Sequence, residues 1–539
     1  MDDRWKIKGE PARWQTVGEL IKDLARRLPD RIGFEIVGRT VTYGELDIIS
    51  DRVAAGLVAL GVDKGDRVAG LMFNRSEQLF LWGGAAKIGA IWVPLNSGLV
   101  GDDLVSTLNE ASPRVLVTDS GGRDKVLAVA GRIVCAEHRY VTEMPADDGF
   151  RPFDDLVMDG AEAPVRSMEP SDPALIVYTG GTTGLPKGVV LSHFSCICSG
   201  YRYREAFRVE PSDRNFTVLS LAHVGGLGFG FLGPMVCGIP SVVERRFSVS
   251  NYWPRVRETG ATIIDIIGTM MTMLVQQPES PEDRNHNVRV SLGAVGQLPQ
   301  DIPDAFQRRF GIQVVGAYSL SESGGILTVN NPIGSPKPHS CGKAWGWADV
   351  RIADQHDQAL APGEIGEILM RPQVASTFMS GYYRDLEQTL ESFRNMWLHT
   401  GDNGYIDEEG WLYFVGRQAH WLRRRGENIS AYEVESILSQ YQGIAEVIVV
   451  GVPSELGEED VKAFIRPAGS AHVDPAELVS WARTRMAQFK VPRFIEIVED
   501  FPRSVTKNEV ERHKLRDRSN AASWDMEQMT NYRPKKASG

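Results

Sequence analysis

The stretch YTGGTTGLPKGVVLSH, residues 178–193, has the composition of a loop that holds phosphate. Its glycines permit tight turns, which leave backbone N–H groups free to point at phosphate oxygens. Thr182 and Thr183 add hydroxyl donors, and Lys187 adds a positive charge. The common P-loop needs Ser or Thr directly after its lysine, whereas Gly188 stands there in this chain. This difference argues against a simple ATPase or kinase, and the paired threonines argue against an ordinary glycine-rich surface loop.

Further motifs follow this loop along the chain. They are YSLSES (318–323), TGD (400–402), GRQAHWLRRRGENIS (416–430) and FKVPR (489–493). Taken alone, a glutamate after a strand is usually only solvated, and a TGD is usually a turn. In this order and spacing, however, the motifs resemble the adenylate-forming superfamily: acyl-CoA synthetases, firefly-type luciferases and peptide-synthetase adenylation domains. The resemblance runs from TYGELD (42–47) to about residue 516, and it is greatest to the acyl-CoA synthetases.

The resemblance implies a two-step ligase reaction. A carboxylate attacks the α-phosphorus of ATP and expels pyrophosphate, and coenzyme A then opens the acyl-adenylate to give a thioester. Charge builds up on the phosphate oxygens, so catalysis is mainly positioning and electrostatic stabilisation. ATP, Mg²⁺ and coenzyme A are the implied cofactor and co-substrates. The alternatives are an adenylation-only enzyme that does not complete transfer to coenzyme A, a non-catalytic nucleotide-binding relative, and a luciferase-like oxygenase with the same adenylation residues.

By the same resemblance, individual residues acquire expected roles. Glu322 would hold Mg²⁺, Tyr318 would stack on adenine, and Ser321 stands where a threonine usually contacts the α-phosphate. Asp402 would accept both ribose hydroxyls, which suits a carboxylate with two oxygens, and Arg417 would assist it. Thr179, Thr182, Thr183 and Lys187 would cradle the departing pyrophosphate, with Thr182 and Lys187 counted as catalytic together with Glu322 and Lys507. The other expected nucleotide-binding residues are Gly180, Gly181, Gly184, Gly296, Gly316 and Ala317.

The acid pocket is expected in three apolar, glycine-rich stretches, at 222–233, 266–273 and 291–299. None of them shows a fixed charge that would pair with an ammonium or a second carboxylate. Small side chains leave volume, which favours a bulky, largely apolar acid (aromatic, alicyclic or polycyclic) over acetate or an amino acid. The residues assigned to the pocket are His223, Gly228, Gly268 and Ser319. A histidine satisfied within the core is the alternative for the first of these.

The chain departs from the family pattern at four positions: in the phosphate loop, in the YSLSES stretch, at the hinge and at the C-terminal lysine. Gly180 replaces a serine of the phosphate loop, Ser319 replaces a glycine, and His420 stands at the hinge in place of Asp or Lys. In FPRSVTKNEVERHKLR (501–516), the column of the family's adenylation lysine falls on Asn508 or Glu509, according to the alignment. Lys507 is the nearest candidate, and a one-residue insertion would let it reach the phosphate.

The last expected site faces coenzyme A. The family's small domain swings between two orientations, one of which opens a tunnel for pantetheine. Gly426, Glu427 and Asn428 belong to that face by resemblance, and the glycine would leave room for the pantetheine chain. The arginines at 423–425 would either meet the phosphates of coenzyme A or form a solvated basic face. The hinge histidine leads to the hypothesis that transfer to coenzyme A is less efficient than adenylation.

Alternating apolar runs and amphipathic stretches predict an α/β fold. Strands are predicted at 65–73, 90–96, 113–119, 174–179 and 312–320, and helices at 16–31 and 78–89. Later strands are predicted at 363–372, 410–417, 445–453, 461–467 and 493–499, and later helices at 431–441 and 474–486. By resemblance, a large multi-subdomain N-terminal region with layered α/β sheets and a small β-barrel-like part is followed by a small, mobile α+β C-terminal domain. The expected boundaries are 1–416 for the large domain, 417–421 for the hinge, 422–517 for the small domain and 518–539 for a mobile tail.

Composition excludes several protein classes. A chain of 539 residues with 42% hydrophobic and 24% charged residues is typical of globular domains with large cores. A net charge of -11 argues against nucleic acid as the main partner. The five scattered cysteines predict free thiols rather than a disulfide framework. Without a secretory signal or a long apolar run, the expectation is a cytoplasmic monomer or homodimer that acts on a small-molecule carboxylic acid.

Overall fold

The computed structural model describes the chain in eight ranges and divides it into two compact units. The described ranges are 5–143, 149–164, 166–179, 186–266, 268–293, 301–330, 336–417 and 421–528, the last with gaps at 425–426, 455–458, 487–489 and 505–509. The first unit comprises Met1–Arg351, Leu369–His399 and Asp407–Tyr413. The second comprises Ile352–Ile368, Thr400–Ile406 and Phe414–Gly539. The division therefore passes through four strands: Ala348–Ala353, Gly366–Pro372, Leu398–Ile406 and Leu412–Arg417.

The first eight-stranded sheet of the first unit carries the phosphate-loop hairpin. Its strands in spatial order are Gly381–Tyr382, Lys187–Ser192, Pro173–Thr179, Ile91–Leu95, Arg67–Leu71, Val115–Thr118, His138–Val141 and Arg151–Pro152. The pairs from Pro173–Thr179 to the last strand are parallel, and the two pairs at the other edge are antiparallel. Four of the parallel strands, Pro173–Thr179, Ile91–Leu95, Arg67–Leu71 and Val115–Thr118, are near-continuous apolar runs buried on both faces, which is why the sequence predicts them.

The second eight-stranded sheet carries the expected adenine and acid sites. Its strands in spatial order are Gly325–Val329, Gln313–Leu320, Val290–Gly293, Ile263–Ile266, Asn215–Thr217, Ser241–Val243, Ile32–Ile36 and Arg39–Thr42. The pairs at both edges are antiparallel, and the five pairs between them are parallel. Because ligands bind beyond the carboxyl ends of parallel strands, the residues that follow these strands are the candidates for substrate contact. A separate two-stranded sheet joins Lys6–Ile7 to Glu10–Pro11.

Helices pack against the sheets of the first unit; some are amphipathic, such as Val17–Arg27, and some are buried almost all round, such as Ser76–Ile88. Its α-helices are Val17–Arg27, Tyr43–Ala59, Ser76–Ile88, Gly101–Ala111, Ser120–Ala128, His193–Phe207, Val224–Leu227, Gly233–Cys237, Val249–Thr259, Gly268–Val275, Asp301–Phe310 and Leu386–Ser392. The first of them begins at a capping box made by Thr16 and Glu19, which satisfies backbone donors that a helix start leaves open. Within the described ranges, no helix has the length and apolar character that crossing a membrane requires.

The C-terminal part of the second unit is a small α+β domain. Its four-stranded sheet has the order Ile444–Pro453, Glu459–Pro467, Phe494–Ile497, Trp524–Asp525, and a hairpin joins Trp421–Arg424 to Glu427–Ser430. Its helices are Ala431–Leu438, Pro475–Ala482 and Arg512–Arg516. The predicted α/β fold, with layered sheets and a smaller α+β domain, is therefore confirmed.

The end of the chain differs from the expected mobile tail. Trp524 is buried in the core of the C-terminal domain, and its strand pairs antiparallel with Phe494–Ile497. The prediction of a mobile tail from residue 518 is wrong for this stretch, because one large aromatic side chain anchors a segment without periodicity. Residues 529–539 lie outside the described part of the chain.

Candidate active site

The two strands that flank the phosphate loop form one hairpin. Thr179 is the last residue of its strand and Lys187 is the first residue of the next, and the two lie opposite each other in the antiparallel register. Gly180, Gly181, Thr182, Thr183 and Gly184 lie outside the described residues. The hairpin nevertheless fixes both ends of the predicted loop.

The Lys187 side chain points to two residues that the sequence analysis missed. Its Nζ donates to Oε1 of Gln388 at 2.6 Å. The same Nζ lies 5.4 Å from the ring centre of Tyr382, within the range of a cation–π contact. Gln388 lies on the helix Leu386–Ser392, and Tyr382 lies on the short strand beside the hairpin.

The expected metal ligand, Glu322, meets the same tyrosine. Oη of Tyr382 donates to Oε1 of Glu322 at 2.8 Å. Burial raises the pKa of Tyr382, and the charge of Glu322 raises it further. The phenol therefore stays protonated and donates to the carboxylate at neutral pH.

Buried contacts hold the turn that carries Glu322. Arg202 donates to the carbonyls of Ser323 at 2.8 Å and Gly324 at 3.0 Å. The backbone N–H of Met379 donates to the Glu322 carbonyl at 2.8 Å. Gly324 has φ 69°, and an added Cβ there would lie 2.4 Å from Oγ of Ser195, so the turn requires glycine. Burial lowers the pKa of Arg202 to about 10, so the guanidinium is still charged at neutral pH.

The expected nucleotide residues lie on or just beyond one strand, Gln313–Leu320. Gly316 and Tyr318 are buried and Ala317 is half-buried. The N–H of Tyr318 donates to Oγ1 of Thr328 on the neighbouring strand at 3.2 Å. Ser319, assigned to the acid pocket, is exposed, and Ser321, beyond the end of the strand, is half-buried. Gly296 lies outside the described residues.

One expected acid-pocket residue, Gly228, lies where three elements converge. Added Cβ atoms at Gly228 and Gly325 would lie 3.1 and 3.2 Å from the same atom, Oγ of Ser199. The one at Gly325 would also lie 3.4 Å from Cγ1 of Val224. Gly325 follows the turn that carries Glu322, so the glycine-rich stretch at 224–228 lies next to that turn.

Two further pocket residues lie at the start of helices. His223 precedes the helix Val224–Leu227, and its Nε2 lies 3.1 Å from Nδ2 of Asn96. Gly268 begins the helix Gly268–Val275 and is half-buried.

A carboxyl group that the sequence analysis missed lies just before this helix. Asp265 belongs to the parallel strand Ile263–Ile266, and its side chain is buried. Oγ1 of Thr217 on the neighbouring strand donates to its Oδ2 at 2.8 Å. Burial raises the pKa of Asp265 to about 7, and the hydrogen bond from Thr217 opposes that rise. The sequence analysis predicts no strand at Ile263–Ile266, so it gives no sign that the aspartate within this apolar run is buried.

The expected ribose residue belongs to the second unit. Asp402 is buried in the strand Leu398–Ile406, and its N–H donates to Oγ1 of Thr400 at 3.1 Å. Arg417 ends the strand Leu412–Arg417.

The expected coenzyme A residues lie partly on a hairpin. Glu427 and Asn428 begin its second strand, Glu427–Ser430. Gly426 and the expected hinge residue His420 lie outside the described residues.

Arg424 on the same hairpin has a structural role. It is buried, its Nε donates to Oδ1 of Asp460 at 3.1 Å, and its Nη1 donates to the carbonyl of Val491 at 2.9 Å. The expectation that all three arginines of 423–425 could meet coenzyme A phosphates is therefore wrong for Arg424, because an aspartate already neutralises it within the core.

Lys507 lies outside the described residues, but its flanking segments are fixed. Arg503 pairs with Val510 in an isolated antiparallel bridge, and its guanidinium donates to Oε2 of Glu446 at 2.6 Å. On the other side, Arg512 donates to Oε2 of Glu435 at 2.8 Å. We call these contacts the 503–512 clamp.

The candidate metal ligand is a single carboxylate. In the part of the chain that the structure describes, no group of three or more His, Cys, Asp and Glu residues could hold a metal ion. Mg²⁺ is commonly held by one or two carboxylates together with substrate phosphates. A half-buried Glu322 with one oxygen fixed by a phenol fits that donor set.

Comparison with known families matches both parts of the chain. The family described as AMP-binding enzyme matches residues 21–383. The family described as AMP-binding enzyme C-terminal domain matches residues 433–508.

Curated and structural relatives extend this match over nearly the whole chain. A crotonobetaine/carnitine–CoA ligase of Salmonella paratyphi A is 32% identical over 501 residues, which cover 91% of this chain and 97% of the relative. The o-succinylbenzoate coenzyme A synthetase of Bacillus subtilis, in complex with AMP, has a TM-score of 0.81 and 27% identity, covering 93% of this chain and 98% of that one. An anthranilate CoA ligase in complex with anthranoyl-AMP has a TM-score of 0.84 at 24% identity, covering 93% and 96%, and shares the fold.

Proposed function

Because the chain belongs to the family of AMP-binding enzymes, we propose that it is an acyl-CoA synthetase that activates a carboxylic acid with ATP. The first half-reaction joins the carboxylate to the α-phosphorus and releases pyrophosphate. In the second, the thiol of coenzyme A attacks the acyl carbon and releases AMP. The curated relative is a CoA ligase that aligns over 91% of this chain, which supports both half-reactions.

One observation carries the assignment of the phosphate site. Lys187 and Glu322 come from separate motifs, yet both contact Tyr382, one over its ring and the other at its hydroxyl. A cation and a carboxylate held together in this way can bind opposite parts of a metal–triphosphate group: the ammonium binds phosphate oxygens and the carboxylate binds the metal.

The remaining roles follow the family pattern. Glu322 would hold Mg²⁺, which when bound would neutralise charge on the phosphates. Thr182, Thr183 and Lys187 bind the departing pyrophosphate, and Tyr318 stacks on adenine. Asp402 binds the ribose hydroxyls with Arg417, and Lys507 supplies the positive charge that assists adenylation. These chain groups act by binding and orientation, which is where the rate enhancement of such a reaction lies.

The acid is bulky and largely apolar. Ser199, Val224, Gly228 and Gly325 meet where the pocket is expected, and they contribute small or apolar groups without charge. The relatives named above act on crotonobetaine or carnitine, o-succinylbenzoate and anthranilate. Because these acids differ widely in charge and shape, membership of the family does not by itself select the acid of this chain. The proposal also places the protein in the cytoplasm as a monomer or homodimer.

A panel of acids with ATP and Mg²⁺ tests the function. Benzoate, cyclohexanecarboxylate, crotonobetaine and acetate are each incubated with the enzyme, with and without coenzyme A, and pyrophosphate and thioester are measured. We expect both products from at least one bulky acid and little from acetate. Lys187→Met and Glu322→Ala variants serve as controls, and both should lose pyrophosphate release by orders of magnitude.

The panel separates the alternatives. Pyrophosphate without thioester for every acid would replace the proposal with an adenylation-only enzyme. Neither product from the panel, together with calorimetric binding of ATP, would indicate a nucleotide-binding protein. Full activity in a folded Glu322→Ala protein would overturn the assignment of the phosphate site.

A further inference from the structure

We infer that Tyr382 is a positioning residue that fixes Glu322 and Lys187 relative to each other for binding of ATP with its metal. The inference rests on the proposed function. It goes beyond it because Tyr382 belongs to none of the motifs that define the site and would itself touch neither phosphate nor metal.

Strand pairing, a backbone hydrogen bond and the packing of the preceding glycine fix the backbone of Tyr382. Its short strand is antiparallel to the hairpin strand Lys187–Ser192, with Tyr382 opposite Val189. Its backbone N–H donates to Oγ1 of Thr389 at 2.8 Å. The residue before it, Gly381, has φ 144°, and an added Cβ there would lie 2.9 Å from Cγ2 of Thr389. The ring therefore projects from a backbone that is bonded to both the hairpin and the helix Leu386–Ser392.

The hydroxyl sets the orientation of the carboxylate. Oη of Tyr382 donates to Oε1 of Glu322 at 2.8 Å. A hydrogen bond to one oxygen stops rotation of the carboxylate about its terminal bond, so the second oxygen points in one direction. A metal ion bound there meets a ligand that is already oriented.

The ring holds the lysine by a different interaction. Nζ of Lys187 lies over the ring at 5.4 Å and donates to Oε1 of Gln388 at 2.6 Å. A phosphate oxygen would compete with Gln388 for the N–H donors, because both are acceptors. It would not compete with the ring, so the cation–π contact can persist when phosphate binds. The hydroxyl thus acts on the metal ligand and the ring acts on the phosphate ligand.

The test uses Tyr382→Phe and the neighbouring Tyr383→Phe as a matched control. Calorimetry measures the affinity for a non-hydrolysable ATP analogue, with and without Mg²⁺ and in the absence of acid. Without this hydrogen bond the carboxylate must be ordered when the metal binds, which weakens binding by a fewfold to about tenfold. We expect Tyr382→Phe to lose about that factor only when Mg²⁺ is present, and Tyr383→Phe to match the native protein in both conditions.

A second variant tests the ring. Tyr382→Leu removes both the hydroxyl and the π face, so we expect it to weaken binding of the analogue without Mg²⁺ as well, by a fewfold. Thermal unfolding of each variant checks that it is folded. Equal affinities for the native protein and both Tyr382 variants, with and without Mg²⁺, would overturn the inference.

Glu322→Gln, measured in parallel, separates this inference from the proposed function. If Glu322→Gln keeps the native Mg²⁺ dependence, the assigned metal ligand is wrong and the inference fails with it. If Glu322→Gln loses that dependence while Tyr382→Phe keeps it, the proposed site stands and only the positioning role of Tyr382 is wrong.

Discussion

Asp265 is a titratable residue that is buried in a central parallel strand of the second eight-stranded sheet. Its pKa rises from its ordinary value of 3.8 to about 7 because it is buried. The folded protein therefore binds a proton more tightly than the unfolded chain. As pH rises from about 4 to about 7, the unfolded state releases this proton first, and the native state loses stability.

Asp265→Asn should remove that loss. One pKa unit corresponds to about 1.4 kcal/mol, so the native protein should lose roughly 4 kcal/mol of unfolding free energy from this group across the interval. The stability difference between variant and native protein should shift in favour of Asn as pH rises, and should level off above about pH 7. Urea unfolding at several pH values measures it.

An exposed aspartate supplies the control for this measurement. Asp517→Asn removes a carboxyl group from the surface, and it is measured in parallel under the same conditions. A flat difference for Asp265→Asn between pH 4 and 8 would contradict the burial argument.

Some residues of the candidate site can be predicted from the sequence and others cannot. Lys187 and Glu322 can be predicted because each lies in a short motif whose residue types point to phosphate or metal. Tyr382 and Gln388 cannot, because their contacts join residues 60 and 201 positions apart. Arg202 is hidden for the same reason: its partners are carbonyl groups 121 and 122 positions away.

At the scale of elements, periodicity predicts what is buried and misses where elements end. The strand Pro173–Thr179 is predicted from its apolar run, and Ala174–Val177 are indeed fully buried. The helix predicted at 16–31 ends at Arg27. The last strand, Trp524–Asp525, has only two residues, which is too short to show a periodic pattern. It forms because Trp524 is buried in the core of the C-terminal domain.

Gly381 lies in the short strand that pairs with the hairpin strand Lys187–Ser192 and precedes the helix that carries Gln388. We expect Gly381→Ala to destabilise this junction by about 1–3 kcal/mol, because its φ of 144° disfavours a side chain and the methyl would press on Thr389. Thermal unfolding gives the cost, and the affinity for ATP should fall with it because Tyr382 is the next residue.

A double-mutant cycle identifies the contact behind that cost. Thr389→Ala removes the atoms that the new methyl meets, so the two substitutions together should cost less than the sum of each alone. Gly363→Ala, at a φ of 86° with open space around it, measures the backbone component by itself. If the losses of stability caused by Gly381→Ala and Thr389→Ala are strictly additive, steric pressure of the new methyl on Thr389 is excluded.

At the scale of the whole molecule, the family's two orientations predict that the half-reactions can be separated. If Lys507 assists adenylation, Lys507→Ala should slow pyrophosphate release strongly, by tenfold or more. It should leave thioester formation from a preformed acyl-adenylate nearly intact, because by the family pattern that step is expected to use the other orientation. Rapid-quench measurement of each half-reaction checks both statements. An unchanged adenylation rate would mean that Lys514, or no lysine, has this role.

The hinge hypothesis is tested in the same assay. His420→Asp restores a residue common in the family, and we expect it to speed thioester formation relative to adenylation. Equal rates of the two half-reactions in the native protein, with no change in the variant, would contradict it.

The 503–512 clamp has a consequence for how this sequence could have diverged. Arg503 and Val510 are held together, and each side is tied to a separate glutamate, so the chain enters and leaves the interval between them at fixed points. Lengthening the interval would change its contour without shifting the helix Arg512–Arg516 that follows. Loop-closure entropy rises only slowly with length, so an insertion there costs little. The position of a lysine along such an interval can drift between relatives while its charge is still delivered to the same place. A sequence alignment would then score the lysine as absent, although it lies only a few positions away from its usual column.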